Sequence, residues 1–154
     1  MSKGKSILRF LLSAGFFMLL SAGCRQTVDM PPVIVSEPVC LLSSKSNTFR
    51  MAGVSFKCHN ADSRQVETLE VSFLVFTDSS GGNPLYGSNV VTASVDAPLV
   101  PGETGTFEIS LDQRLARIPS KPFFIDCFYI EKVVFSDGSQ WSDPLGMYYA
   151  GSLL

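Results

Sequence analysis

The chain has 154 residues, 45% of them hydrophobic, with 12 basic and 14 acidic side chains and a single histidine, His59. The net charge is −2, and without Lys3, Lys5 and Arg9 it is −5 (9 basic against 14 acidic). With no basic cluster in the sequence such a surface repels nucleic-acid phosphates, so no nucleic-acid partner is expected. The length fits one globular domain, large enough to bury a core without a disulfide framework.

The chain opens with three cations, Lys3, Lys5 and Arg9, followed by an apolar run from Phe10 to Leu20 and then by Ser21-Ala22-Gly23-Cys24. Cations, apolar run and small residues in that order read as an export signal. The run is too short for a permanent span of ~30 Å of hydrocarbon, which takes roughly 20 residues. Leu20-Ser21-Ala22-Gly23-Cys24 resembles the lipobox of bacterial lipoproteins. Ser21 stands where the usual box has leucine, and Leu20 lies one place back. The resemblance implies that residues 1–23 are a lipoprotein signal peptide and that Cys24 becomes the first residue of the mature chain, carrying acyl chains such as palmitate. An ordinary signal peptide cut after Ala22 or Gly23 would instead leave Cys24 a plain thiol. Both readings take the protein out of the cytoplasm, and the lipoprotein resemblance implies the bacterial cell envelope.

Beyond residue 23 the chain keeps 9 basic residues against 14 acidic ones, so attraction to anionic headgroups is not expected. Membrane attachment then rests on the acyl chains of Cys24, at ~0.8 kcal/mol per buried methylene. Arg25 to Pro32, RQTVDMPP, reads as a tether whose two prolines keep its last step extended. In lipoproteins an aspartate after the lipidated cysteine marks inner-membrane retention. Arg25 stands there, which implies the outer membrane or the periplasmic face.

From Val33 the chain is a string of short β-like runs. Val33 to Leu42 is rich in β-branched residues, and Pro38 makes it an edge or bulged strand. Met51 to Cys58 alternates, with Ala52, Val54, Phe56 and Cys58 on one face. Val66 to Phe76 places Leu69, Val71, Phe73 and Val75 together, and Leu74 and Phe76 predict cover on its second face near the end. Asp78 to Pro84 is a strong turn signal, and Ser88 to Val95 is a further strand. Pro98 to Gly105 reads as a connection, with Pro101-Gly102 central in a tight turn. Thr106 to Leu111 alternates again, and Asp112 to Ala116 predicts one short helical turn capped by Asp112. Phe123 to Phe135 is the longest apolar stretch after the signal, and Asp137-Gly138 predicts a two-residue hairpin into a return strand bearing Trp141.

About seven short strands without a helix of ordinary length predict an all-β domain over residues 33–154, a single antiparallel β-sandwich of immunoglobulin-like (fibronectin-like) type. The turn at Asn60 to Ser63, the strand VETLEVSFLVFTD, Pro101-Gly102-Glu103 and the closing run Ile130 to Trp141 resemble small exported bacterial modules of the FxLYD kind. The Phe-x-Leu-Tyr-Asp motif itself is absent in that form. The resemblance implies the fold and the setting, and brings no catalytic residues with it.

Three cysteines follow Cys24, and an odd number in an exported chain leaves one unpaired or bonded to a partner. Within the immunoglobulin-like reading, Cys58 and Cys127 fall on strands that face one another across the core, so Cys58–Cys127 is the chosen disulfide. Cys40 with Cys58, neighbours across the first hairpin, and three free thiols are the alternatives. No spacing suits a metal, and Cys58-His59 point to opposite faces of a strand, which forbids a nucleophile–base pair. Asp126, Glu131, Asp78, Asn83 and Asp137 read as polar strand or turn residues. No cofactor is called for. Of the aromatics from Phe123 to Tyr149, most read as core, and an exposed minority as a partner surface. The expected role is a non-catalytic, lipid-anchored module that binds another envelope protein or supports the envelope. The alternative is a carrier of a small apolar ligand between the sheets, with an enzyme less favoured.

Overall fold

The computed structural model describes residues 30–150; the expected signal peptide, Cys24 and the start of the tether lie outside them. Among the described residues the chain is all-β, with β1 (Val33–Leu42), β2 (Ala52–Asn60), β3 (Val66–Phe76), β4 (Val90–Leu99), β5 (Thr104–Ser110), β6 (Phe124–Phe135) and β7 (Gln140–Ser142). The strands form two antiparallel sheets, β1-β2-β5 and β4-β3-β6-β7.

The alternation of β2 and β3 is what joins the sheets. Ala52, Val54, Phe56 and Cys58 of β2, and Leu69, Val71, Phe73 and Val75 of β3, are all buried. Each valine, leucine and phenylalanine among them, taken fully out of water, contributes about 1.5–3 kcal/mol. The ring of Phe128 on β6 bridges the two sheets, 4.9 Å from Phe56 on one side and 5.3 Å from Phe73 on the other. On β3 the second face is only partly covered, at Leu74 and Phe76.

β1 is an edge strand, and its register slips between Ser36 and Val39, where Pro38 has no N–H to give to a ladder. β4 runs further than its sequence suggests and includes Pro98. It tolerates the proline because it is also an edge strand, and because its register with β3 shifts there. Only residues 100–103 remain as the turn to β5. Pro101-Gly102 does hold the central positions, with Gly102 at φ +78° and the Glu103 N–H donating to the Val100 carbonyl.

Two local expectations are corrected. The β6–β7 hairpin is not a two-residue turn. The Gly138 N–H donates to the Phe135 carbonyl and the Phe135 N–H to the Ser139 carbonyl, so three residues form the loop, with Gly138 at φ +79°. Asp112 to Ala116 forms a turn and no helix. The Asp112 carboxylate faces β2 instead of capping its own segment, and it accepts the N–H groups of Arg50 (2.7 Å), Met51 (2.9 Å) and Ala52 (3.2 Å).

At the end of the domain where the chain enters, Asn60 is fully buried and joins three segments. Its amide donates to the carbonyls of Arg64 (2.8 Å) and Leu99 (3.0 Å), and its oxygen accepts the Asp62 N–H. Pro32 adjoins this corner through its carbonyl, which accepts the Ala61 N–H. The connections 43–51, 77–89 and 111–123 lie at the opposite end.

Candidate functional site

The cysteines do not form a site. Cys40, Cys58 and Cys127 are free thiols, the first two buried and the third exposed, so the expected Cys58–Cys127 bond is not made. The cause is a bulge in β6. Ser72 pairs with Tyr129 and Leu74 with Asp126, which leaves Cys127 and Phe128 together opposite Phe73. Cys127 adopts φ +48°, its N–H turned to the Asp126 carboxylate at 2.8 Å, and the next residue, Phe128, takes the inward place. The alternative Cys40–Cys58 pair fails on register, since Cys40 lies across from Val54 and Cys58 across from Val35. Burial pushes the Cys58 thiol up to about 12. Burial also raises Cys40, and at Cys127 burial and then the Asp126 charge do the same. None of the three is an activated thiolate.

Other polar candidates serve local structure. His59 pairs with the Thr104 hydroxyl at 3.0 Å, on the face opposite Cys58. Asp78, Asn83 and Asp137 hold their own turns, through Ser80, Leu85 and Ser139. No group of three or more metal-ligating side chains converges among the described residues. Nor, among them, is any helix long and apolar enough to cross a membrane.

What the fold does assemble is an end face built from the three long connections. Leu85 and Leu115 pair as a β-bridge, the Tyr86 N–H donates to the Arg114 carbonyl, and the Ala116 N–H donates to that of Pro84, so 77–89 and 111–123 are knitted together. Connection 43–51 is pinned by two carboxylates, Asp112 and Glu108, the latter accepting the Thr48 N–H and hydroxyl. The Thr48 bonds hold Glu108 below the usual carboxylate range. At Asp112 burial works upward, but the three β2-side N–H donors prevail and lower it.

Charge is unevenly placed. Of the eight basic residues described, Lys45, Arg50, Arg114, Arg117 and Lys121 lie on these connections, against only Asp78 and Asp112 of thirteen acidic residues. The ion pairs formed elsewhere and at the edge of this face use Arg64, Lys132 and Lys121. Among the described residues, no carboxylate lies within ion-pair reach of Lys45, Arg50, Arg114 or Arg117. Tyr86 (72% exposed) and Ile118 (80% exposed) add apolar surface to the same face.

Among the described residues, grooves lie along the flanks of the sandwich. A small one of about 90 Å³ lies between β1 and the segment after β7, lined by Val35, Ile130, Trp141, Tyr148 and Tyr149 among others. The larger, of about 730 Å³, lies between β4 and β5, with Val91, Ala93 and Ile109 as its floor and Arg50, Gln113 and Arg114 on its rim. Of the aromatics from Phe123 to Tyr149, Phe124 and Tyr149 are exposed. Tyr86, Arg50 and Arg114 escape a reading of the sequence, because what gathers them is the meeting of three connections far apart in the chain. The chain matches no protein-family model, no curated protein and no solved structure.

Proposed function

We propose that this protein is a lipid-anchored lipoprotein of the bacterial cell envelope, and that its β domain is a non-catalytic module for binding another envelope protein or supporting the envelope. The observation that carries the reading is the run GFFMLLSAGC, followed by the short tether Arg25 to Pro32 and a β domain from Val33. The sheet orders β1-β2-β5 and β4-β3-β6-β7 support the immunoglobulin-like, fibronectin-like assignment. They are consistent with the A-B-E and C-F-G groupings of that fold, with the remaining strand placed beside the third. Against a ligand carrier, the rings of Phe56, Phe128 and Phe73 occupy the space between the sheets.

The test is metabolic labelling with a palmitate analogue. The wild-type protein takes up the label and sediments with membranes, and Cys24→Ala loses the label and is released. Unchanged partitioning of the Ala variant would overturn the lipoprotein reading.

A further inference from the structure

A β-sandwich has two open sides, where the edge strands of its sheets lie near each other. On one of them β4 closes the four-stranded sheet and β5 the three-stranded sheet, and neither has a further neighbour among the described residues. An edge strand presents backbone N–H and C=O groups that can pair with an added strand. At β4 the outward side is identified by Thr92, whose carbonyl accepts the Arg114 guanidinium at 3.1 Å instead of a ladder N–H. In a strand the N–H of a residue points to the same side as its carbonyl, so the Thr92 N–H also faces out of the sheet.

The groove along this edge has an apolar floor, Val91, Ala93 and Ile109, and two arginines on its rim, Arg50 and Arg114. The acid in it, Asp112, already accepts three backbone N–H groups. The neighbouring Glu108 is engaged by Thr48. Arginine is suited to carboxylates because its planar fork can donate two parallel hydrogen bonds. Both carboxylates stay ionised, so the groove lining carries two arginines against the one charge of Asp112, a small positive excess in a chain with more acids than bases. The arginine forks on its rim favour an anionic occupant.

We propose that the β4–β5 groove seats an extended, acidic segment of another envelope protein, which pairs with the β4 edge and places alternate side chains on the apolar floor while its carboxylates meet Arg50 and Arg114, the latter giving up the Thr92 carbonyl to the incoming strand. The proposal rests on the binding-module role given above and assigns that role a surface and a partner chemistry. An extended strand suits both halves of the site. Its period of two sends one set of side chains to the floor and the other to the rim.

The experiment uses the full lipidated protein in detergent and a fluorescein-labelled nine-residue peptide of alternating valine and glutamate. Anisotropy should report binding that weakens with added salt, and the same peptide with lysine for glutamate should not bind. The double variant Arg50→Glu, Arg114→Glu should weaken binding by at least about tenfold. Thr92→Pro, which removes the outward N–H while leaving the β3 side of the strand intact, should weaken it as well. Thermal melts of both variants show that they remain folded. Equal binding of the lysine peptide, or binding unchanged by Thr92→Pro, would overturn the proposal. So would no binding of the glutamate peptide to a protein that still carries its acyl label. Binding of polyphosphate or of vesicles rich in anionic lipid, with the peptide ignored, would also overturn it in favour of a face that reads charge alone. Loss of the acyl label in the wild type would count against the anchored-lipoprotein reading only.

Discussion

Phe56 of β2 and Phe128 of β6 meet across the two sheets with ring centroids 4.9 Å apart, and Phe128 also lies parallel to Phe73, at 13° and 5.3 Å. This one ring touches both sheets and ties β2, β3 and β6 together within the shared core. Phe128→Ala should therefore destabilise the domain by about 3–5 kcal/mol, the cost of a large cavity among rings that cannot all relax into it. Phe128→Leu, which fills more of the space, should cost less. Urea unfolding checks both, and a cost under about 1 kcal/mol for the alanine variant would show that the ring is not central.

The bulge that turns Phe128 inward turns Cys127 out, and this predicts thiol reactivity. In the folded protein a maleimide should label Cys127, while Cys40 and Cys58 react only after denaturation, as read by mass spectrometry of the labelled peptides. Cys58 adds an alkaline limb. Its thiol is held up to about 12 against an ordinary 9.0, so its contribution to stability is whole below pH 9. It is lost as pH rises toward 12, because only the unfolded thiol ionises over that range. Labelling of native Cys58 at a rate like that of Cys127 would contradict the buried position.

Most of the fold is legible in local pattern. The β2 and β3 faces follow from period-two alternation, the slip in β1 from Pro38, and the turn at Val100 to Glu103 from Pro101-Gly102. What is not legible depends on pairing. The β6 bulge arises because Cys127 and Phe128 share one partner on β3, and nothing in FIDCFYIEKVVF alone marks where the extra residue falls. With unbroken alternation Cys127 would share a face with Ile125 and point into the core, which is the assumption behind the expected disulfide. The basic end face is hidden for a similar reason. Lys45, Arg50, Arg114, Arg117 and Lys121 are scattered singly, and only the topology gathers them.

Asp112 predicts a local weakness. Its two oxygens accept N–H groups from Arg50, Met51 and Ala52, where connection 43–51 becomes β2. Asp112→Ala should destabilise by about 1–3 kcal/mol, since these donors lose a charged acceptor. The loss should be local before it is global. Hydrogen exchange at Arg50, Met51 and Ala52 should speed up more than at Val71 or Val75. Uniform acceleration across β2 and β3 would show that Asp112 acts on global stability alone.

The Asp62–Arg64 pair predicts an acid limb. The Arg64 guanidinium donates to both Asp62 oxygens, at 2.9 and 2.7 Å, reaches the Ser139 hydroxyl at 2.9 Å, and lies 3.7 Å from the centre of the Phe135 ring. Hydrogen bonding from the Arg64 side chain, against some burial, lowers Asp62 from the ordinary 3.8 to about 2. The folded state thus binds its proton later than the unfolded state. The stabilisation is whole above pH 3.8 and disappears as pH falls through about 2. Unscreened, this shift corresponds to roughly 2 kcal/mol, and near the surface solvent reduces it to about 1 kcal/mol. Asp62→Asn should remove this part of the pH dependence. The wild type and the variant should differ by about 1 kcal/mol at pH 6 and converge below pH 2, once the wild-type carboxylate is also protonated. Urea midpoints across that range test it, and a gap of constant size at every pH would show that the pair acts through shape and not through charge.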